Sequence, residues 1–307
     1  GIFNNSSASR ITDENIHDTV FEWSLQSPHN ISHSYISIWN ISMVTDLSEL
    51  FAFNDKFNQE LNIWDTSRVT SFHKLFSHAS IFNTDLDMWD TSMVSVMSKI
   101  FDFAFIFNKP LNMWDTSRVT DFHSSFAYAY AFNRDLSSWN VGLVTNMSEM
   151  FSSAYSFNKN LNEWDVSSII DMSSLFRYAS NFNGALSEWT TSGVVNMDGL
   201  FFHATNFGSN DLQSWDTSQV VFMSRMFAST RFSSDLNSWD TTRVIDFTGM
   251  FADATAFNQV LCWDISVDAI GTENMFNNSE GMLCKAIKLD EGKFYMRMFI
   301  IASFFCG

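Results

Sequence analysis

Apolar positions along this chain follow a short spacing laid inside a long one. From Trp64 they fall at Val69, Phe72, Leu75, Phe76, Ala79, Phe82 and Leu86, and the order begins again at Trp89. Trp stands at 39, 64, 89, 114, 139, 164 and 189, always 25 residues apart, and continues at Trp215, Trp239 and Trp263 with one-residue slips. A fixed period of this length marks stacked repeats, in which each unit buries its apolar face against its neighbours. The expectation is an α/β solenoid of about nine to ten coils over residues 39–262, with one short parallel strand and one short helix per coil and a cap at each end.

Inside a coil, the residue three after Trp is Ser42, Ser67, Ser92, Ser117, Ser167, Ser192 or Ser218, a good N-cap. Val69, Phe72, Leu75 with Phe76, and Ala79 then lie on one face of a predicted three-turn helix. Phe recurs at its end, from Phe51, Phe76, Phe101, Phe126, Phe151 and Phe176 to Phe276. Those Phe residues, with Trp64, Trp89, Trp114, Trp139 and Trp164, are the expected core.

A Phe-Asn pair follows the predicted helix. Asn58, Asn83, Asn108, Asn133, Asn158, Asn183 and Asn258 suit the turn that leaves it. Stacked at one position, these amides are also expected to bond from coil to coil as a ladder. Leu61, Leu86, Leu111, Leu136 and Leu161 lead to the next Trp through a predicted short strand, with a bend between Leu and Trp. Strands lie ~4.8 Å apart and packed helices 8–10 Å. The array should therefore curve with its strands inside, as leucine-rich repeats do.

The ends break the pattern. Residues 1–38 open with a polar stretch, followed by a helix that Thr12 or Asp13 caps and that carries Ile16, Val20 and Trp23 on one face. This helix is expected to cover the first coil, and residues 26–37 read as a loop. Residues 263–307 form the C-terminal cap, ending in the apolar tail from Phe294 to Gly307. The tail is expected to be strand-like, either capping its own chain or reaching a neighbouring copy. Gly208 and Ser233 replace the turn Asn beside the register slips, where stacking should be least regular.

Charge narrows the partners. Asp and Glu outnumber Lys and Arg 34 to 17, for a formal charge of −17. A phosphate backbone or an anionic lipid surface would be repelled, so nucleic acid is not an expected partner. No stretch approaches the ~20 apolar residues that span a bilayer, and no membrane insertion is expected. No basic and apolar leader opens the chain, so any signal peptide is expected to have been removed. Cys262, Cys284 and Cys306 all lie in the terminal segment and match no zinc spacing. The expectation is a Cys262–Cys284 disulfide pinning the cap, with Cys306 free or paired outside the chain. That implies an oxidising compartment, extracellular or at the cell surface.

Candidate chemistry is sparse. Asp65, Asp90, Asp115, Asp165, Asp216, Asp240 and Asp264 each follow Trp. Such a row of oxygens could attract Ca²⁺, but Asn40, Asn140 and Thr190 at the same position keep the hydrogen bonding and drop the charge. The row therefore reads as corner-forming. His73 and His123 share a repeat position two coils apart, too distant to ligate one metal. No Ser/His/Asp set, nucleophile elbow or phosphate loop is present, so neither an enzyme nor a cofactor is expected. Glycosylation sequons stand at Asn4, Asn5, Asn30, Asn40, Asn146 and Asn277. Asn146 is placed on the outward side of its helix, and Asn40 is placed close against the core Trp.

The repeat W-D-x-S-x-V-x-x-M-x-x-M-F-x-x-A-x-x-F-N-x-x-L resembles the mycoplasma-type repeat of BspA-like surface proteins. The opening TDENIHDTVFEW, and the LCW, MFNNSEGMLC and FFCG of the close, resemble that family's end segments in algal proteins. Phe72, Phe122 and Phe247 depart from it by standing where Met is usual. The resemblance implies a secreted or cell-surface protein with a leucine-rich-repeat-like fold and a role in adhesion or surface structure. Two functions follow as expectations. The first is a structural or adhesive glycoprotein that assembles with itself, head to tail or laterally, into a layer or filament. The second is a recognition module for a protein or glycan. The monotony of the D-T-S and D-V-S corners favours the first.

Overall fold

The computed structural model describes residues 10–25, 36–208, 212–284, 286–287 and 296–297. Its repeating unit is built from turns. No helix occurs among the described residues of 39–262, and where the spacing predicts one, at residues 72–79, the backbone alternates between two kinds of hydrogen bond. Leu75, Ser77 and Ala79 donate back to Phe72, Lys74 and Phe76, closing successive turns at 3.0–3.1 Å. Phe72, Lys74, Phe76 and His78 donate onward to Val96, Ser98, Ile100 and Asp102 of the next unit at 2.7–2.9 Å. Lys74 (φ 54°) and His78 (φ 62°) are left-handed, as the third residue of a type II turn must be.

Ring stacking explains why turns replace the helix. Phe76 and Phe101 stack with centroids 5.7 Å apart and planes within 5°, and Phe82 and Phe107 at 5.8 Å and 6°. Trp89 and Trp114 lie 6.3 Å apart and within 1°. Neighbouring units are thus held near the spacing of paired strands, well short of the 8–10 Å that packed helices need. Consecutive turns present Phe72, Leu75, Phe76 and Ala79 to the core as a helix would, yet leave every second N–H for the neighbour. With no helix in the unit, the reason given for curvature falls away.

The strand is displaced as well. Parallel pairing occurs as single bridges joining Asp46, Ser71, Val96, Asp121, Asn146, Asp171, Asn196, Phe222, Asp246 and Ile270 in order. The Leu-to-Trp stretch is a turn in most units. Trp89 N–H bonds to Leu86 of its own unit at 3.3 Å, and its indole Nε1–H bonds to Leu61 of the preceding one at 2.9 Å. The indole bond recurs from Trp64 through Trp263 at 2.8–3.0 Å. Among the described residues that stretch becomes a strand only in the last unit, as β1 (Val260–Leu261), parallel to β2 (Met282–Leu283). Trp64, Trp89, Trp114, Trp139 and Trp164 are buried, as are Phe76, Phe101, Phe126, Phe151 and Phe176.

The slips near Gly208 and Ser233 leave the stack intact. An extra residue enters between Phe207 and Leu212, and one is lost between Phe227 and Phe232. The bridges still run from Asn196 to Phe222 to Asp246, and Phe201 stacks on Phe227 at 5.7 Å. At the second slip Thr230 takes the place of the repeat Ala, and its hydroxyl bonds to the Phe227 carbonyl.

The N-terminal helix, α1 (Ile16–Ser24), buries Ile16 and Val20 and sets Trp23 edge-on against Phe57 at 6.1 Å. Neither Thr12 nor Asp13 caps it; the N-cap is Asn15, with no side-chain cap bond. Asp13 instead accepts from Thr45 N–H and Oγ1, each at 2.7 Å, and from Asp46 N–H at 3.2 Å. In later units the equivalent N–H goes to the preceding carbonyl, as Thr70 does to Thr45 and Ser95 to Thr70. The Asp13 carboxylate takes the place of that preceding carbonyl.

At the other end a disulfide joins Cys262 and Cys284 across a Cα separation of 5.0 Å. Beyond it, β3 (Ala286–Ile287) pairs antiparallel with β4 (Met296–Arg297). The rest of the apolar tail, Cys306, most of the predicted 26–37 loop, and the sequons at Asn4, Asn5 and Asn30 lie outside the described residues.

Candidate functional site

The outer corners are occupied by their own hydrogen bonds. In six units the Asp after Trp accepts the N–H two residues on: Asp65 from Ser67, Asp90 from Ser92, Asp115 from Ser117, Asp165 from Ser167, Asp216 from Ser218 and Asp240 from Thr242. Asn40 and Asn140 do the same for Ser42 and Gly142. Bonds from the Ser or Thr hydroxyl and N–H hold Asp90, Asp115, Asp165 and Asp240 below the usual carboxylate range. Among the described residues, no three His, Cys, Asp or Glu gather as a metal site.

The Asn ladder runs from side chain to backbone rather than amide to amide. The Oδ1 atoms of Asn58, Asn83, Asn108, Asn133 and Asn158 accept the N–H of the next Asn at 2.8–3.0 Å, ending at Asn183. Asn183 then accepts from Gly208 N–H at 3.1 Å. Gly208 and Ser233 carry no amide, so Asn258 stands outside the chain, its Oδ1 meeting Gln259. Asn146 is not on the outer face of a helix. It is a bridge residue, half-buried, and its Oδ1 accepts from Ser148 N–H and Oγ. Asn40 and Asn277 are both exposed, so Asn40 is not occluded by the Trp beside it. His73 and His123 each bond through Nδ1 to the Ser of the next unit, Ser98 and Ser148, at 2.8 Å.

The structure gathers a surface that the linear reading missed. Left-handed Phe53, His78, Phe103 and Tyr128 project outward and stack at 4.5, 4.3 and 4.1 Å. Two residues further along the unit, Phe105, Tyr130 and Tyr155 form a second ladder at 4.8 and 4.7 Å. The two ladders meet at 67° between Phe103 and Phe105 and at 66° between Tyr128 and Tyr130. Writing the sequence in 25-residue columns and reading the polar columns for rings would have shown them.

Asp102 lies in this region. It is buried, and Ser77 shares a hydrogen bond with it. Burial, only partly offset by the Lys99 charge, pushes its carboxyl up to about 6.

One unit after another thus repeats the same corner, the same carbonyl-bound indole and the same ring stack. A family model described as Mycoplasma protein of unknown function, DUF285, matches residues 19–127, 107–208 and 171–287. The chain belongs to this family. No curated protein and no solved structure matches it. Phe53, His78, Phe103 and Phe105 lie within the first DUF285 match, Tyr128, Tyr130 and Tyr155 within the second, and the disulfide within the third. No helix among the described residues of this DUF285 protein is long and apolar enough to cross a membrane.

Proposed function

We propose that this DUF285 protein is a secreted or cell-surface structural and adhesive glycoprotein of the BspA-like kind, an open solenoid whose copies join end to end. One observation supports the reading: the two end units leave opposite halves of the bond that joins units inside without a partner among the described residues. At the first unit the carbonyls of Ser48, Leu50 and Ala52 receive no donor among the described residues, although their equivalents His73, Leu75 and Ser77 each receive one. At the last unit the N–H groups of Phe276 and Asn278 find no acceptor among the described residues, although those of Phe76 and His78 do. A contact of that polarity is heterologous, does not close, and extends into a filament. The terminal disulfide suits an oxidising compartment, exposed Asn277 suits a glycan, and the reading needs no metal or cofactor. Sedimentation velocity and negative-stain imaging of the full chain across concentration test it. Rods that lengthen with concentration are expected; single particles of one size throughout would reject it.

A second reading, a recognition module for a protein or glycan, is favoured by the clustering of the aromatic ladders. They are continuous from Phe53 to Tyr155, and after Ser153 the first resumes only as the single pair Tyr178 and His203 at 4.9 Å.

A further inference from the structure

The second ladder has a missing rung. Asp55, Ser80, Phe105, Tyr130 and Tyr155 occupy one repeat position in successive units. Phe105 stacks on Tyr130 at 4.8 Å and 9°. On its other face it meets no ring among the described residues, because the preceding unit offers only Ser80 and the one before it Asp55. The first ladder runs past this gap unbroken, through Phe53, His78 and Phe103. The result is a groove of about 390 Å³ lined by Phe53, Asp55, His78, Ser80, Phe103 and Phe105.

We infer that this groove binds one neutral pyranose ring of a glycan, seated on the free face of Phe105 with its hydroxyls turned to Asp55 and Ser80. The inference rests on the recognition reading and names its ligand. The Tyr130 and Tyr155 rungs show that one step of this ladder spans a stacking distance, so the gap has room for one six-membered ring laid face-on to Phe105. A pyranose offers an apolar C–H face to Phe105 and hydroxyl donors to the Asp55 carboxyl. The Ser80 hydroxyl donates to the Asp55 carbonyl at 3.1 Å and keeps its lone pairs for another donor.

Other ligands fit less well. Phe53, His78 and Phe103 are stacked on one another, so their edges line the groove, and ring edges carry the positive end of the quadrupole. A cation would find one favourable ring face and several unfavourable edges. An anion would meet Asp55 and a chain of formal charge −17. A purely aromatic compound would fill the gap but offer the carboxyl no donor.

Saturation-transfer NMR on the full chain, with the methyl glycosides of glucose, galactose, mannose and N-acetylglucosamine, tests the site. At least one should receive saturation at its ring C–H protons. Ser80→Tyr supplies the missing rung and should weaken that binding at least tenfold without lowering the melting temperature, since Tyr130 and Tyr155 already occupy the position. Phe105→Ala should weaken it similarly, and Asp55→Asn several-fold. Absence of transfer to all four glycosides would overturn the inference, as would p-cresol or tetramethylammonium binding in their place. Glycoside binding that survives S80Y but is lost in Tyr128→Ala would overturn the slot and leave the recognition reading standing.

Discussion

Asp102 shows what a single side chain can cost inside a stack of rings. Its carboxyl, raised to about 6 from 3.8, is protonated in the folded chain at pH values where the unfolded chain has already ionised. Stability therefore falls as pH rises between those values and stays lower above them. The size is on the order of 2–3 kcal/mol. Asp102→Asn keeps a partner for Ser77 and removes the charge. Urea unfolding should find it more stable than the parent by that amount at pH 7.5, with the gap closing near pH 4; an equal gap at both would reject the assignment. The corner carboxylates work in the opposite sense. Asp90, Asp115, Asp165 and Asp240 are held below their ordinary value, so they support the fold at neutral pH and lose that support on acidification. Burial pushes Asp13 up, but its bonds from Thr45 and Asp46 outweigh this and place it in the same group.

Within one unit, side-chain spacing alone does not separate a helix from a run of turns. Val69, Phe72, Phe76 and Ala79 satisfy both, because a three-residue turn and a helical turn return the chain to one face after similar intervals. What decides is the distance to the next unit, which flat rings set and which no linear pattern states. The rows of Trp, Phe and Asn were legible because each is one residue type at one interval. The aromatic ladders were not, because Phe, His and Tyr share those columns with Asp and Ser. The turns make their own prediction. Ser174 (φ 55°) occupies the position that Gly199 and Gly249 hold at φ 59° and 61°. Ser174→Val should cost about 1–3 kcal/mol, the range for a strained left-handed residue, while Ser174→Gly should cost nothing or stabilise. Equal urea midpoints for the two variants would mean the backbone there is not left-handed.

Across the whole molecule, stability is shared between neighbours. Phe126 stacks on Phe101 at 5.5 Å, Phe151 at 5.6 Å and Phe132 at 4.2 Å. Phe126→Ala should cost about 3–5 kcal/mol, as large-to-small changes in a core do. Because the flanking units lean on the same ring, amide exchange should quicken on both sides of it. A loss below about 1 kcal/mol on denaturant unfolding would show that this ring does not carry the stack.

The Asp13 carboxylate has a further consequence. It ends one row of backbone bonds at the first unit, and inside the chain every unit offers its neighbours nearly the same donors and acceptors. Nothing in the core therefore fixes the number of units in one chain. A block of 25 residues cut out or pasted in at matching Trp positions changes the count and leaves the joints alike. Each block moves the far end by about one Phe spacing, 5.5–5.7 Å. The protein is in this sense a graduated ruler whose zero is Asp13. A gene for it can shorten or lengthen its reach in whole steps, while any mark near the zero, such as the gap beside Phe105, keeps its reading.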